Sequence, residues 1–241
     1  MSTMISWKQR LAAAVAVAVL SGTVAHAGEI HFAAIEGNLL KMDALLRAHP
    51  DQLESADETG ATPLILAATN AKKPMVEYLL ARGAKIEAKN ANGETALHVA
   101  VSRGYLDIIT LLLTKGANVN ARPKAAETPL HLAVDLGYVK TVDLLLDFHA
   151  DVNASNNVGF TSLQYAVHRN YDDIVETLIS NKADVNAYAD VAIWAAVRNP
   201  QNVQQMRRSF RPPFRCTPLA LAEYYNHPEI AEILKKHGAE R

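Results

Sequence analysis

Glu127-Thr128-Pro129-Leu130-His131-Leu132-Ala133 decides the fold, because its Thr-Pro-Leu centre is one copy of several. It recurs at intervals of 33 residues as Thr62-Pro63-Leu64, Thr95-Ala96-Leu97 and Thr161-Ser162-Leu163, and once more, after 56 residues, as Thr217-Pro218-Leu219. A fixed period of this length marks a solenoid, whose units touch only their neighbours and together build an extended surface. Function is therefore expected in that surface.

Outward from the triplet, each copy spells a pair of helices. In the second copy Asn92-Gly93 supplies a turn, Thr95 stands where an N-cap should be, and Gly104 ends a first helix. A second helix is predicted from Leu106 to Lys115, with Gly116 just beyond it. Proline at 63, 129 and 218 falls on the first helical position, where its missing N–H costs nothing. Small residues such as Ala67, Ala68, Ala100 and Ala133 let neighbouring helices approach closely, and the pairs Leu79-Leu80, Leu112-Leu113, Leu145-Leu146 and Leu178-Ile179 supply apolar surface between layers.

These elements, in phase with Gly93-Glu94-Thr95-Ala96-Leu97-His98-Val99-Ala100 and with the Glu127–Ala133 stretch, resemble the ankyrin repeat. The resemblance implies an all-α solenoid of helix-turn-helix units with β-hairpin fingers and a concave binding face. It divides the chain into an N-terminal cap at 29–56 and regular repeats at 57–89, 90–122, 123–155 and 156–188, followed by a C-terminal cap at 212–241. Between them, residues 189–211 are a degenerate arginine-rich repeat or an insertion. The motif Ile193-Trp194-Ala195-Ala196-Val197 favours a truncated repeat. Lys235 and Lys236 give the last helix the polar outer face a cap requires.

Residues 1–27 stand apart. Lys8 and Arg10 precede an apolar run from Leu11 to Leu20 and then Ala25-His26-Ala27, the pattern of a cleaved secretory signal peptide. The run is about half of the roughly 20 residues a spanning helix needs, so the expectation is a periplasmic protein with no integral membrane span. Cys216 is the only cysteine, which rules out an intrachain disulfide.

After cleavage 22 basic residues face 25 acidic ones, a net charge near −3. Yet Arg198, Arg207, Arg208, Arg211 and Arg215 lie in a stretch from Val191 to Ala222 that has no acidic residue, leaving the rest near −8.

Sequence motifs for chemistry are lacking. Neither a glycine-rich phosphate loop, nor zinc-ligand spacing, nor a nucleophile elbow occurs, so no cofactor, metal or catalytic residue is assigned. His31, His98 and His131 occupy one slot of different repeats, whose neighbouring layers lie about 8 to 10 Å apart, too far to share a zinc ion, and read as hydrogen-bonding residues at helix starts. His149 and His227 read as local caps.

The expected activity is binding of a protein partner, as an accessory or protective protein or as an inhibitor or immunity protein. An adaptor for anionic lipid or cell-wall polymer is the alternative, and an enzyme is the weaker one. The mature chain is acidic, which argues against nucleic acid. The arginines with Trp194 and Phe214 suit a partner with an acidic surface. The family's variable positions add Asn92, Glu94, Ser102, Arg103, Glu127, Asp135, Leu136, Phe160, His168 and Arg169, with Phe160 and Leu136 expected to be exposed. The protein is expected to be monomeric on its own.

Overall fold

The computed structural model describes residues 25–190 and 215–240. It has two compact units, residues 1–99 and 100–241. Among the described residues the fold is all-α but for two short strands, an ankyrin solenoid of paired helices.

The first unit holds α1 (Ala25–Glu36), α2 (Leu39–Ala48), a 3₁₀ turn at Pro50–Glu54, α3 (Pro63–Thr69) and α4 (Lys73–Ala81); α5 (Ala96–Arg103) carries the boundary. Helix α1 packs on α2 and on α3, and α3 packs on α4. Met42, Leu46, Met75, Val76 and Leu79 are buried, each such side chain contributing about 1.5–3 kcal/mol. Two polar ties join the cap to the repeat that follows. Glu54 accepts a 2.7 Å bond from the Lys85 backbone N–H, and Asp43 accepts a 2.8 Å bond from the Tyr78 hydroxyl and pairs with Arg82. The Tyr78 bond, with the Arg47 and Arg82 guanidiniums, holds the Asp43 carboxyl below the usual carboxylate range.

The second unit continues through α6 (Leu106–Thr114), α7 (Pro129–Asp135), α8 (Val139–Asp147), α9 (Ser162–Arg169), α10 (Asp172–Ser180), β1 (Ala189–Asp190), β2 (Arg215–Cys216), α11 (Pro218–Tyr224) and α12 (Pro228–Lys236). The recurrent threonine starts each first helix as predicted. Thr128 and Thr161 form capping boxes with His131 and Gln164, and Thr217 accepts a 3.2 Å bond from the Ala220 N–H. Tyrosines at a 33-residue spacing lie over the glycines that end the preceding first helices. A Cβ on Gly137, whose φ is +69°, would stand 2.9 Å from the Tyr171 ring. His149 takes the glycine slot after α8 with φ +62°.

The fingers are tight turns, not extended ladders. Asp57 receives N–H bonds at its carboxylate from Thr59 and Ala61, while its own N–H bonds the Ala61 carbonyl at 3.0 Å. Asn90 and Asn156 repeat the arrangement, and the only bridge in a regular finger among the described residues is Ser155 with Thr161. With so few residues between the caps, side-chain-to-backbone bonds close the turn before a ladder can grow.

The break in period resolves at its flanks. Helix α9 packs directly on α11 and α10 on α12, and Ala189 pairs with Cys216 in a two-residue antiparallel ladder. Repeats 156–188 and 212–241 are therefore neighbours, which leaves no layer between them for a truncated repeat. Strands β1 and β2 flank residues 191–214 and pair directly with each other. Residues 191–214, where a degenerate repeat or an insertion was expected, and residues 1–24 of the expected signal peptide at 1–27 lie outside the described residues.

Candidate functional site

In the first unit, Asn92 and Glu94 stand on the turn that precedes Thr95. Asn92 is exposed and Glu94 half-buried. The Glu94 carboxylate accepts a 2.8 Å bond from the Asn90 amide, and the Asn90 oxygen accepts from the N–H groups of Asn92 and Glu94 at 2.9 and 3.0 Å. The turn is thus fixed before any partner arrives, so little conformational entropy would be lost on binding.

In the second unit the first helices end in a register set by their capping threonines: Ser102-Arg103, Asp135-Leu136, His168-Arg169 and Tyr224-Tyr225 each follow the threonine by seven and eight residues. Ser102 and Arg103 are exposed, and Leu136 keeps 42% of its surface in solvent. Arg169 Nε bonds Asp135 Oδ1 at 2.9 Å, which links the ends of α7 and α9. The His168 ring meets the Tyr225 ring edge-on at 4.8 Å, and Tyr225 meets Tyr224 at 4.9 Å, linking α9 to α11. Burial, with smaller effects from Tyr224 and Cys216, pushes the Tyr225 hydroxyl up to about 12, so it stays a neutral donor. The row offers a charged pair, an exposed leucine and a group of aromatic rings at fixed positions.

Two sequence expectations change here. Phe160 is 1% exposed and does not present its ring to a partner; the ring packs edge-on against Tyr165 at 5.8 Å. It sits immediately before a capping threonine, where Glu94 and Glu127 are half-buried, and an apolar ring in that slot turns into the layer because water has nothing to offer it. Glu127 is held from within, accepting a 2.5 Å bond from the Tyr165 hydroxyl. His227 forms no side-chain cap and instead stacks on Tyr225 at 6.0 Å.

The histidines in the helix-start slot are structural. The Thr128 N–H donates to His131 Nδ1 at 3.2 Å, so the other nitrogen carries the proton and donates to the Phe160 carbonyl of the next repeat at 3.1 Å. Burial drives the His131 pKa down to about 4, which keeps the ring neutral in this role. His98 repeats the cap with Thr95, and His31 bonds the Ser55 carbonyl at 3.0 Å. Cys216 is fully buried, and burial raises its thiol to about 12, an unreactive state.

Tyr224 and Tyr225 were not among the residues proposed from sequence, although Thr217 places them in the register. Trp194, Arg207, Arg208, Arg211 and Phe214 were proposed and lie outside the described residues.

A family model described as ankyrin repeats, in three copies, matches residues 30–123 and 121–189, well over half the chain. The chain belongs to the ankyrin-repeat family. No curated protein matches it. Ankyrin repeats are generally protein–protein interaction modules and typically non-enzymatic scaffolds. The bonds from α9 and Asn186 to the 212–241 repeat carry the ankyrin stack beyond the matched residues.

Proposed function

We propose that this ankyrin protein binds a partner protein in the bacterial envelope, using the helix-one ends and turns of its second unit. The observation that carries the reading is the row Asp135, Leu136, His168, Arg169, Tyr224 and Tyr225. There an exposed leucine and a group of rings stand beside a fixed ion pair, on helices whose other faces are buried. Aromatic residues and arginine supply most binding energy at interfaces, and fixed side chains lose little freedom when covered. The arginines of the insertion add positive charge beside this row in sequence, which suits a partner with an acidic surface.

The envelope assignment is supported by the pattern of residues 8–27. No helix among the described residues is long and apolar enough to cross a membrane. An accessory or protective subunit and an inhibitor or immunity protein both fit a rigid, stoichiometric binder.

The test compares partner recovery from the periplasm by the wild-type protein and by a Leu136→Ala, Tyr225→Ala double variant of unchanged melting temperature. The proposal predicts a partner retained by the first and lost by the second. Equal recovery by both would remove the row from the binding surface, and a mature N-terminus at Met1 in the cytoplasm would remove the envelope.

A further inference from the structure

The N-terminal cap carries an apolar outer face that the described residues leave open. Helix α1 buries Ile30, Ala33 and Ala34, yet Phe32 and Ile35, on its other side, are only half-buried. On α2, Met42 and Leu46 face inward while Leu40 is 87% exposed, Leu39 is 38% exposed and Ala44 is exposed. A terminal repeat needs a polar outer face to stay soluble. The C-terminal cap has one, with Glu229, Glu232, Lys235 and Lys236 all exposed on α12. The N-terminal cap offers leucine instead.

Charge selects the occupant. Between Gly28 and Glu36, α1 carries only acidic charge, Glu29 and Glu36, and both are exposed. On α2 the exposed charges are Lys41 and Arg47; Arg47 pairs with Asp43 at 2.8 Å but keeps 75% of its side chain exposed, while Asp43 is half-buried and also engaged by Tyr78 and Arg82. Lys41 and Glu29 stand 3.7 Å apart at the edge of the apolar face, with 42% and 49% of their side chains exposed, so both can reach a second surface. A face with a negative helix beside a positive one complements itself when turned about a two-fold axis.

We propose that the N-terminal cap is a homodimer interface, in which α1 of one copy lies on α2 of the other. Leu39, Leu40, Phe32 and Ile35 of both copies form its apolar centre, with Glu29 and Glu36 set against Lys41 and Arg47 of the second copy at its rim. This departs from the monomer expected from sequence, and it does not depend on the partner-binding row. Helices of this length run about 15 Å and lie about 10 Å apart, a small footprint beside the roughly 800 Å² per partner of a standard complex. The dimer is therefore a weak one, with Kd on the order of 10–100 µM.

Sedimentation equilibrium of the full protein, with its N-terminus read by mass spectrometry, tests this. A monomer–dimer equilibrium in that range is expected. Leu40→Glu should raise Kd at least tenfold, and Lys41→Glu should weaken it severalfold. Combining Lys41→Glu with Glu29→Lys should restore it, because the swap regenerates the complement in both copies. Circular dichroism of each variant should match the wild type, as these side chains are exposed.

A protein that stays monomeric at 200 µM overturns the proposal. In that case, slowed hydrogen exchange at Leu39–Lys41 with residues 1–24 retained names that segment as the occupant, and fast exchange leaves the face to a different protein. A dimer unaffected by Leu40→Glu overturns it equally, by placing the contact elsewhere.

Discussion

Two junctions of the second unit are built from the same parts although the sequence separates their halves differently. Between repeats 123–155 and 156–188, His131 donates to the Phe160 carbonyl at 3.1 Å and Asn153 accepts from the Asp184 N–H at 2.8 Å. Between 156–188 and 212–241, Gln164 donates to the Cys216 carbonyl at 2.8 Å and Asn186 accepts from the Glu240 N–H at 2.7 Å. The second set spans 23 more residues than the first. Layering is thus governed by the capping slot and the residue before it, not by distance along the chain. Long excursions add little closure entropy once both ends are held, so a stack can carry an insertion without losing a contact.

The largest effect should come from the slot before the cap at the regular junction. Phe160→Ala is expected to cost about 3–5 kcal/mol in urea unfolding, as for other buried aromatics. A cost under about 0.5 kcal/mol would mark an exposed contact residue instead.

Next comes pH. His131 has a folded value near 4, below the unfolded value near 6.5. The unfolded chain therefore takes up the proton first as pH falls, and stability held above pH 6.5 is lost progressively down to about 4. The loss amounts to about 3 kcal/mol. His131→Gln copies the residue that serves the same slot at the longer junction. It should abolish this slope in melting temperature against pH at modest cost, and a slope left intact would place the titration elsewhere.

Gln164→Ala probes the longer junction itself. It leaves the Cys216 carbonyl and the Thr161 N–H without their partner, and should cost about 1–3 kcal/mol in thermal unfolding. A neutral result would show that the two junctions are not equivalent. Arg169→Ala, by contrast, removes a partly exposed ion pair and should change stability by under about 1 kcal/mol. Its effect belongs in the affinity for the partner.

The fold was legible because the capping threonine, the proline after it and the glycine past the helix each have a local mechanism and recur together. Phe160 was not legible. Its slot holds buried Ala61 and Cys216 but half-buried Glu94 and Glu127, so position alone gives no direction. Tyr224 and Tyr225 were overlooked because the 56-residue interval hid their register, although counting from Thr217 recovers it. Leu40 reads as core in any leucine-rich helix, and only the absence of a preceding described layer exposes it. The half-helix motif around Trp194 lies outside the described residues, and local pattern alone cannot show that the repeats on either side of it touch.

That contact between neighbours is the central claim, and excision tests it most directly. Residues 191–214 would be replaced by Asn-Gly, joining β1 to β2 through a two-residue hairpin turn, and thermal unfolding followed by circular dichroism. The flanking repeats already touch through α9 and α11, so the melting temperature should stay within about 2–4 °C of the wild type, less than about 1 kcal/mol for a chain of this size. A fall of ten degrees or more, or loss of the cooperative transition, would show that the segment is a layer of the stack and would contradict the account.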